Sequence, residues 1–134
     1  MKANKKRQKA LNLGVITGGG DCPGLNAAIR AVVKRAEVSG SKVFGIQEGF
    51  KGLYEGHMHA LRPIDVAGIV SRGGTILGTS RFNPLKEKGG ISRIRKNLAK
   101  HRIDALVNIG GEGTMRFSHE LHQLGIPVVG VPKT

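Results

Sequence analysis

The chain has 134 residues, of which 39% are hydrophobic and only 4% aromatic, and 21 are glycine. That length suits one domain with a real core, or part of a larger one, and the apolar content excludes disorder throughout. The formal charge of +13 points to an anionic partner, while a single cysteine, Cys22, excludes an internal disulfide framework and suggests a reducing, cytoplasmic setting.

The opening MKANKKRQKA carries Lys2, Lys5, Lys6, Arg7 and Lys9 with no acid and no apolar periodicity. Residues 1–10 therefore read as a disordered basic tail, and residues 11–134 as the folded domain. A short apolar run at 11–17 ends in glycines, the pattern of a buried strand, with no stretch long enough for a signal peptide or a membrane span. A helix is expected next. Pro23 suits its first turn, and Leu25, Ala28, Ile29, Val32, Val33 and Ala36 recur at helical spacing until Ser39 and Gly40 stop it. Residues 42–46 (KVFGI) form a second strand, followed by the glycine-rich loop EGFKGLYEG at 48–56. A weaker helix over about 64–72 precedes the turn RGGTILGTSRF, and a third helix at 91–101 carries Ile91, Ile94 and Leu98 on one stripe. Residues 104–109 (DALVNI) form a strand that runs into GGEGT, a helix spans 114–124, and PVVGV at 127–131 is the last strand.

Strands alternating with helices at this spacing predict βαβ units: an α/β fold with a parallel sheet and helices on both faces. Ligands of such sheets bind at the carboxyl ends of the strands. The glycines at 18–20 and 110–111 both follow strands, so the sheet would carry two distant loops to one edge.

A strand, a glycine turn and a helix start together make an anion site, because backbone N–H groups can approach the ligand and the helix dipole favours negative charge. The P-loop pattern is absent, and Gly18-x-Gly20 is followed by Pro23 where a dinucleotide fingerprint has glycine. Two such loops, each with a carboxylate (Asp21 and Glu112), favour phosphate together with a divalent cation. Asp21 could equally cap the helix, and Cys22 beside the same helix start has no assigned chemistry. His119 and His122 lack a third ligand and read as surface residues. Lys86, Lys88, Arg93, Arg95, Lys96, Lys100 and Arg102 flank and ride the third helix without interleaved aromatics, a solvated face more than a nucleic-acid platform.

Five segments, GGGDCPGLNAAIRAVV, EGFKGLYEG, RGGTILGTSRF, DALVNIGGEGT and GIPVVGVPKT, together resemble the N-terminal motifs of the phosphofructokinase family in order and spacing. GGEGT alone would be weak, since NAD kinases and lipid kinases carry a similar motif; the five together cover residues 11–134. The resemblance implies a Rossmann-like nucleotide-binding domain. It also implies phosphoryl transfer from ATP, with Mg²⁺, to the 1-hydroxyl of fructose 6-phosphate, in a cytoplasmic glycolytic enzyme that is a homo-oligomer at full length. By the same resemblance Gly20 lies against the nucleotide phosphates, Arg81 contacts phosphate with Phe82 beside it, and Gly111, Glu112, Gly113 and Thr114 form the second nucleotide loop. Glu112 stands where most relatives have the aspartate that holds Mg²⁺. Phe50 stands where many have a tyrosine against adenine, although it could equally be a core residue.

Two positions bear on the donor. Pyrophosphate-dependent relatives usually carry an aspartate at the place of Gly113, so the glycine favours ATP, whereas Lys133 is typical of pyrophosphate users. Thr134 matches the first sugar-contacting position, and the family continues with I-D-N-D, whose first aspartate is the base. The chain is therefore expected to be truncated before the catalytic segment, with no catalytic base of its own. A pyrophosphate-dependent enzyme and a non-catalytic nucleotide-binding fragment are the alternatives, with a nucleic-acid-binding module behind both.

Overall fold

A computed structural model describes residues 9–20 and 22–133. The tail residues Lys2, Lys5, Lys6 and Arg7, together with Asp21 and Thr134, lie outside the described residues; Lys9 and Ala10 are exposed. Strand β1 (Asn12–Thr17) alternates sides: Val15 and Ile16 are both fully buried but belong to the cores on opposite faces of the sheet. A strand buried on both faces belongs at the centre, and the order is β3-β2-β1-β4-β5. β2 (Lys42–Ile46), β4 (Ala105–Gly110) and β5 (Val128–Pro132) run parallel with β1.

The helices divide between the faces as their stripes require. α1 (Leu25–Val38) buries Leu25, Ile29, Val33 and Ala36 against Val15, Val43 and Ile109. On the other face α2 (Phe50–Glu55), α3 (Gly90–Lys100) and α4 (Glu112–Gln123) bury Phe50, Leu53, Ile94, Leu98, Phe117 and Leu121 against Ile16, Ile46 and Leu106. No helix among the described residues is long and apolar enough to cross a membrane.

Three expectations are corrected. The segment 48–56 is not all loop, because α2 forms inside it. Gly49, with φ 61°, supplies the positive-φ turn that starts the helix, and burial of Phe50 and Leu53 outweighs the poor helix propensity of Gly52. The sheet is mixed, not wholly parallel: β3 (Met58–Leu61) pairs antiparallel with β2, since six helical residues are too few for a crossover back to a parallel edge. The helix predicted over 64–72 is only a 3₁₀ turn, Pro63–Val66. Ala67 is already extended, and the Arg62 guanidinium and backbone N–H hold the Asp65 carboxyl below its ordinary pKa while closing that turn.

The irregular segment after this turn is pinned to the sheet. Asn26, buried on α1, donates to the Arg72 carbonyl (3.0 Å) and accepts from the Ile76 N–H (2.8 Å). Thr17 donates to the Gly78 carbonyl (2.9 Å) from the end of β1, and Leu77 is fully buried. Fixed in this way, residues 80–83 arrive at the same sheet edge as the glycine loops.

Candidate functional site

The register of β1 and β4 pairs Thr17 with Ile109, so the two glycine loops leave the sheet side by side. The Gly18 N–H donates to the Ile109 carbonyl at 2.8 Å. A Cβ on either Gly18 or Gly110 would collide with the Thr114 side chain, and one on Gly110 would also lie 2.8 Å from the Gly18 carbonyl oxygen. These positions are glycine because the loops and the first turn of α4 close on one another. The Lys133 N–H donates to the Gly110 carbonyl (2.9 Å) and ties the end of β5 to the same junction.

The loops enclose a cleft of about 400 Å³. Gly20, Phe50, Arg81, Phe82, Gly111, Glu112, Gly113, Thr114 and Lys133, every sequence-predicted position within the described residues, line it. The first intrahelical bond of α4 runs from the Met115 N–H to the Gly111 carbonyl, at 3.0 Å. The amides of Glu112, Gly113 and Thr114 therefore precede the helical ladder, and the residues that carry them form one wall of the cleft. A Cβ on Gly20, Gly111 or Gly113 would meet nothing within 4 Å, so that wall is open to a ligand.

The charges are arranged around this wall. Arg81 is exposed at the rim, and the Lys133 side chain reaches across Gly19, its Nζ 3.4 Å from where a Cβ there would sit. Glu112 accepts from the Arg116 guanidinium at 2.9 Å, but the two side chains are 87% and 71% exposed. Such an exposed pair is worth under about 1 kcal/mol, which leaves the carboxylate free to exchange Arg116 for a cation.

Two cleft residues also have a packing role. Thr114 is 5% exposed and serves first as the packing surface under Gly18 and Gly110. Phe50 is 8% exposed, and its ring packs on Phe117, 3.8 Å centroid to centroid at 31°, so it belongs to the core while it also lines the cleft.

Sequence reasoning missed Phe117, Ser80, Asn83 and Gly49 as cleft residues. Phe117 sits on the apolar stripe of α4 and reads as core. Ser80 reads in the sequence as one residue of the RGGTILGTSRF turn, yet its Oγ is buried with no hydrogen-bond partner. His119 and His122 are exposed, and Cys22 is a half-buried free thiol packed against the α1-side core.

A family model described as phosphofructokinase matches residues 12–134. The chain belongs to the phosphofructokinase family. It is 52% identical over 125 residues to a pyrophosphate–fructose 6-phosphate 1-phosphotransferase of Amycolatopsis methanolica, covering 92% of this chain and 37% of that protein. It is 49% identical over 125 residues to the ATP-dependent 6-phosphofructokinase 3 of Streptomyces coelicolor, with the same coverage. Among solved structures, the phosphofructokinase from Saccharomyces cerevisiae superposes with a TM-score of 0.83 at 33% identity, over 94% of this chain and 20% of that one. This phosphofructokinase-family chain thus spans little more than a third of the curated relatives' length. Relatives of both donor types match it about equally, so similarity alone does not choose a donor.

Proposed function

We propose that this chain is the donor-binding N-terminal part of a 6-phosphofructokinase, which transfers a phosphoryl group from ATP to the 1-hydroxyl of fructose 6-phosphate. The observation that carries the reading is the convergence of both glycine loops, the α4 start and Arg81 on one cleft. Backbone amides at the start of α4 hold the phosphates, and the planar Arg81 guanidinium matches charge spread over phosphate oxygens. Catalysis of this kind rests on positioning and electrostatics. The single cysteine fits a reducing cytoplasm, and a homo-oligomer is the proposed state of the complete enzyme.

The cleft fits a magnesium ion brought in by the donor. Among the described residues no group of three or more His, Cys, Asp or Glu could cage a metal, and the one carboxylate lining the cleft is Glu112. Mg²⁺ commonly keeps its waters and binds through one or two carboxylates plus substrate phosphates, a role one exposed glutamate can fill. When bound, the ion neutralises charge on the transferring phosphoryl group. Glu112→Gln is expected to weaken Mg-ATP binding by about tenfold while leaving metal-free ATP and the fold unaffected, with Glu112→Asp tolerated. Unchanged Mg-ATP affinity in the Gln variant would instead assign Glu112 to the helix start.

The open space at Gly113 supports ATP, because no side chain opposes the phosphate next to the nucleoside. The Lys133 ammonium over the first loop supports the second reading, pyrophosphate, by adding a cation suited to a compact donor. An absent steric barrier bears directly on whether the larger donor enters, so ATP is the proposed donor. Calorimetry on the intact enzyme is expected to show ATP binding tighter than pyrophosphate by about tenfold. Tight pyrophosphate binding with no detectable ATP binding would overturn the choice.

A further inference from the structure

Besides Phe50, which packs on Phe117, the donor cleft has a second aromatic wall to offer. Phe82 is half-buried, lines the cleft next to Arg81, and is held from behind. The Tyr54 ring packs on it, with centroids 5.1 Å apart at 52°. The Arg93 guanidinium carbon in turn lies 4.3 Å from the Tyr54 ring centroid. One turn further along α3, Asn97 donates to the carbonyls of Leu53 (2.9 Å) and Tyr54 (2.8 Å), which fixes the backbone that carries the Tyr54 ring. On the other side of Phe82, the Asn83 carboxamide accepts from the Leu85 N–H at 2.9 Å and sets the direction in which the chain leaves.

We propose that Tyr54 and Arg93 are positioning residues that brace the Phe82 ring as the platform for the base of a nucleotide donor. This rests on the reading of the cleft as a phosphoryl-donor site. The geometry explains two things that a solvated face leaves unexplained. Arg93, alone among the described cations of α3, is stacked over an aromatic ring, and the Asn97 amide donates both its hydrogen bonds to the last turn of α2. A cation over the Tyr54 ring and a tilted contact from Tyr54 to Phe82 restrict both rings, so a base stacking on Phe82 has less ordering left to impose. The phosphates are held elsewhere, by the α4 start and Arg81, so the brace acts on the base alone.

The test compares Mg-ATP with Mg-tripolyphosphate, which has the phosphates and no base, in NMR titrations of the ¹⁵N-labelled chain that read millimolar affinities. The unsubstituted protein is expected to bind ATP about fivefold or more tighter than tripolyphosphate, with contacts from the adenine protons to the Phe82 ring. Tyr54→Leu is expected to shrink that preference to within about twofold, and Arg93→Gln to reduce it about two- to threefold, with tripolyphosphate affinity unchanged in both. Should Tyr54→Leu lose its native spectrum, Arg93→Gln, an exchange of an exposed side chain, decides the matter. Equal losses for both ligands, or no change in either variant, would overturn the brace. Equal binding of the two ligands by the unsubstituted protein would overturn it while leaving the donor site intact; binding of neither would overturn both readings.

Discussion

The purified 134-residue chain is expected to form no fructose 1,6-bisphosphate above background in a coupled assay. Phosphoryl transfer to a sugar hydroxyl needs a base for the hydroxyl proton and groups that hold the sugar in line with the donor. The described residues around the cleft supply one carboxylate, Glu112, which is paired with Arg116 and is the proposed metal ligand. The Arg81 and Lys133 side chains offer hydrogen-bond donors and no acceptor for a sugar hydroxyl proton. A missing general base costs about 10²–10⁴-fold in rate, and lost positioning multiplies that. Among the described residues β5 is the edge strand, and Val129 and Val131 are 61% and 36% exposed on the face away from α4, which leaves an apolar edge beside the cleft's end of the sheet. Product formed at a rate near that of full-length family members would sink this expectation, and would require a base that the cleft as described does not hold.

Gly110→Ala is expected to loosen the whole site. The added methyl would sit 2.7 Å from Thr114 Cβ and 2.8 Å from the Gly18 carbonyl oxygen, and a backbone atom cannot swing aside as a long side chain can. Overpacking of this kind costs about 1–3 kcal/mol, which in a domain of this size lowers Tm by about 3–10 °C. The two loops must part to make room, so donor affinity is expected to fall with stability. Gly113→Ala is the matched control, since its methyl meets nothing within 4 Å and alanine favours the helix. Thermal melts of the two variants decide the point: if Gly110→Ala melts with the unsubstituted protein, the loops do not close on one another as described.

Much of this was legible in the sequence for a physical reason. β1, β4 and α1 carry apolar runs or stripes long enough to fix their period, and the glycines that follow β1 and β4 name the sheet edge where a ligand binds. The helix after β4 begins at Glu112 rather than 114, a small shift that places Glu112 in the first turn with Arg116 one turn away. What could not be read is what tertiary packing decides. α2 contains Gly52 and is six residues long, so no periodicity announces it; Phe50 and Leu53 make it helical by burying themselves. β3 is an edge strand with His59 and Ala60 exposed, and its composition resembles a loop. The contact of Phe50 with Phe117 spans 67 positions of sequence, and only the folded chain shows that a residue in the place of an adenine platform packs on another ring of the cleft.

The central claim is that the cleft between the two glycine loops holds the phosphates of the donor. An amide-resolved NMR titration of the chain with Mg-ATP tests it most directly. The account predicts the largest shifts at Gly18, Gly19, Gly20, Arg81 and residues 111–114, with the outer face of α3 and the β3 edge unmoved. Saturating shifts confined to those distant surfaces, or none at millimolar nucleotide, would contradict it.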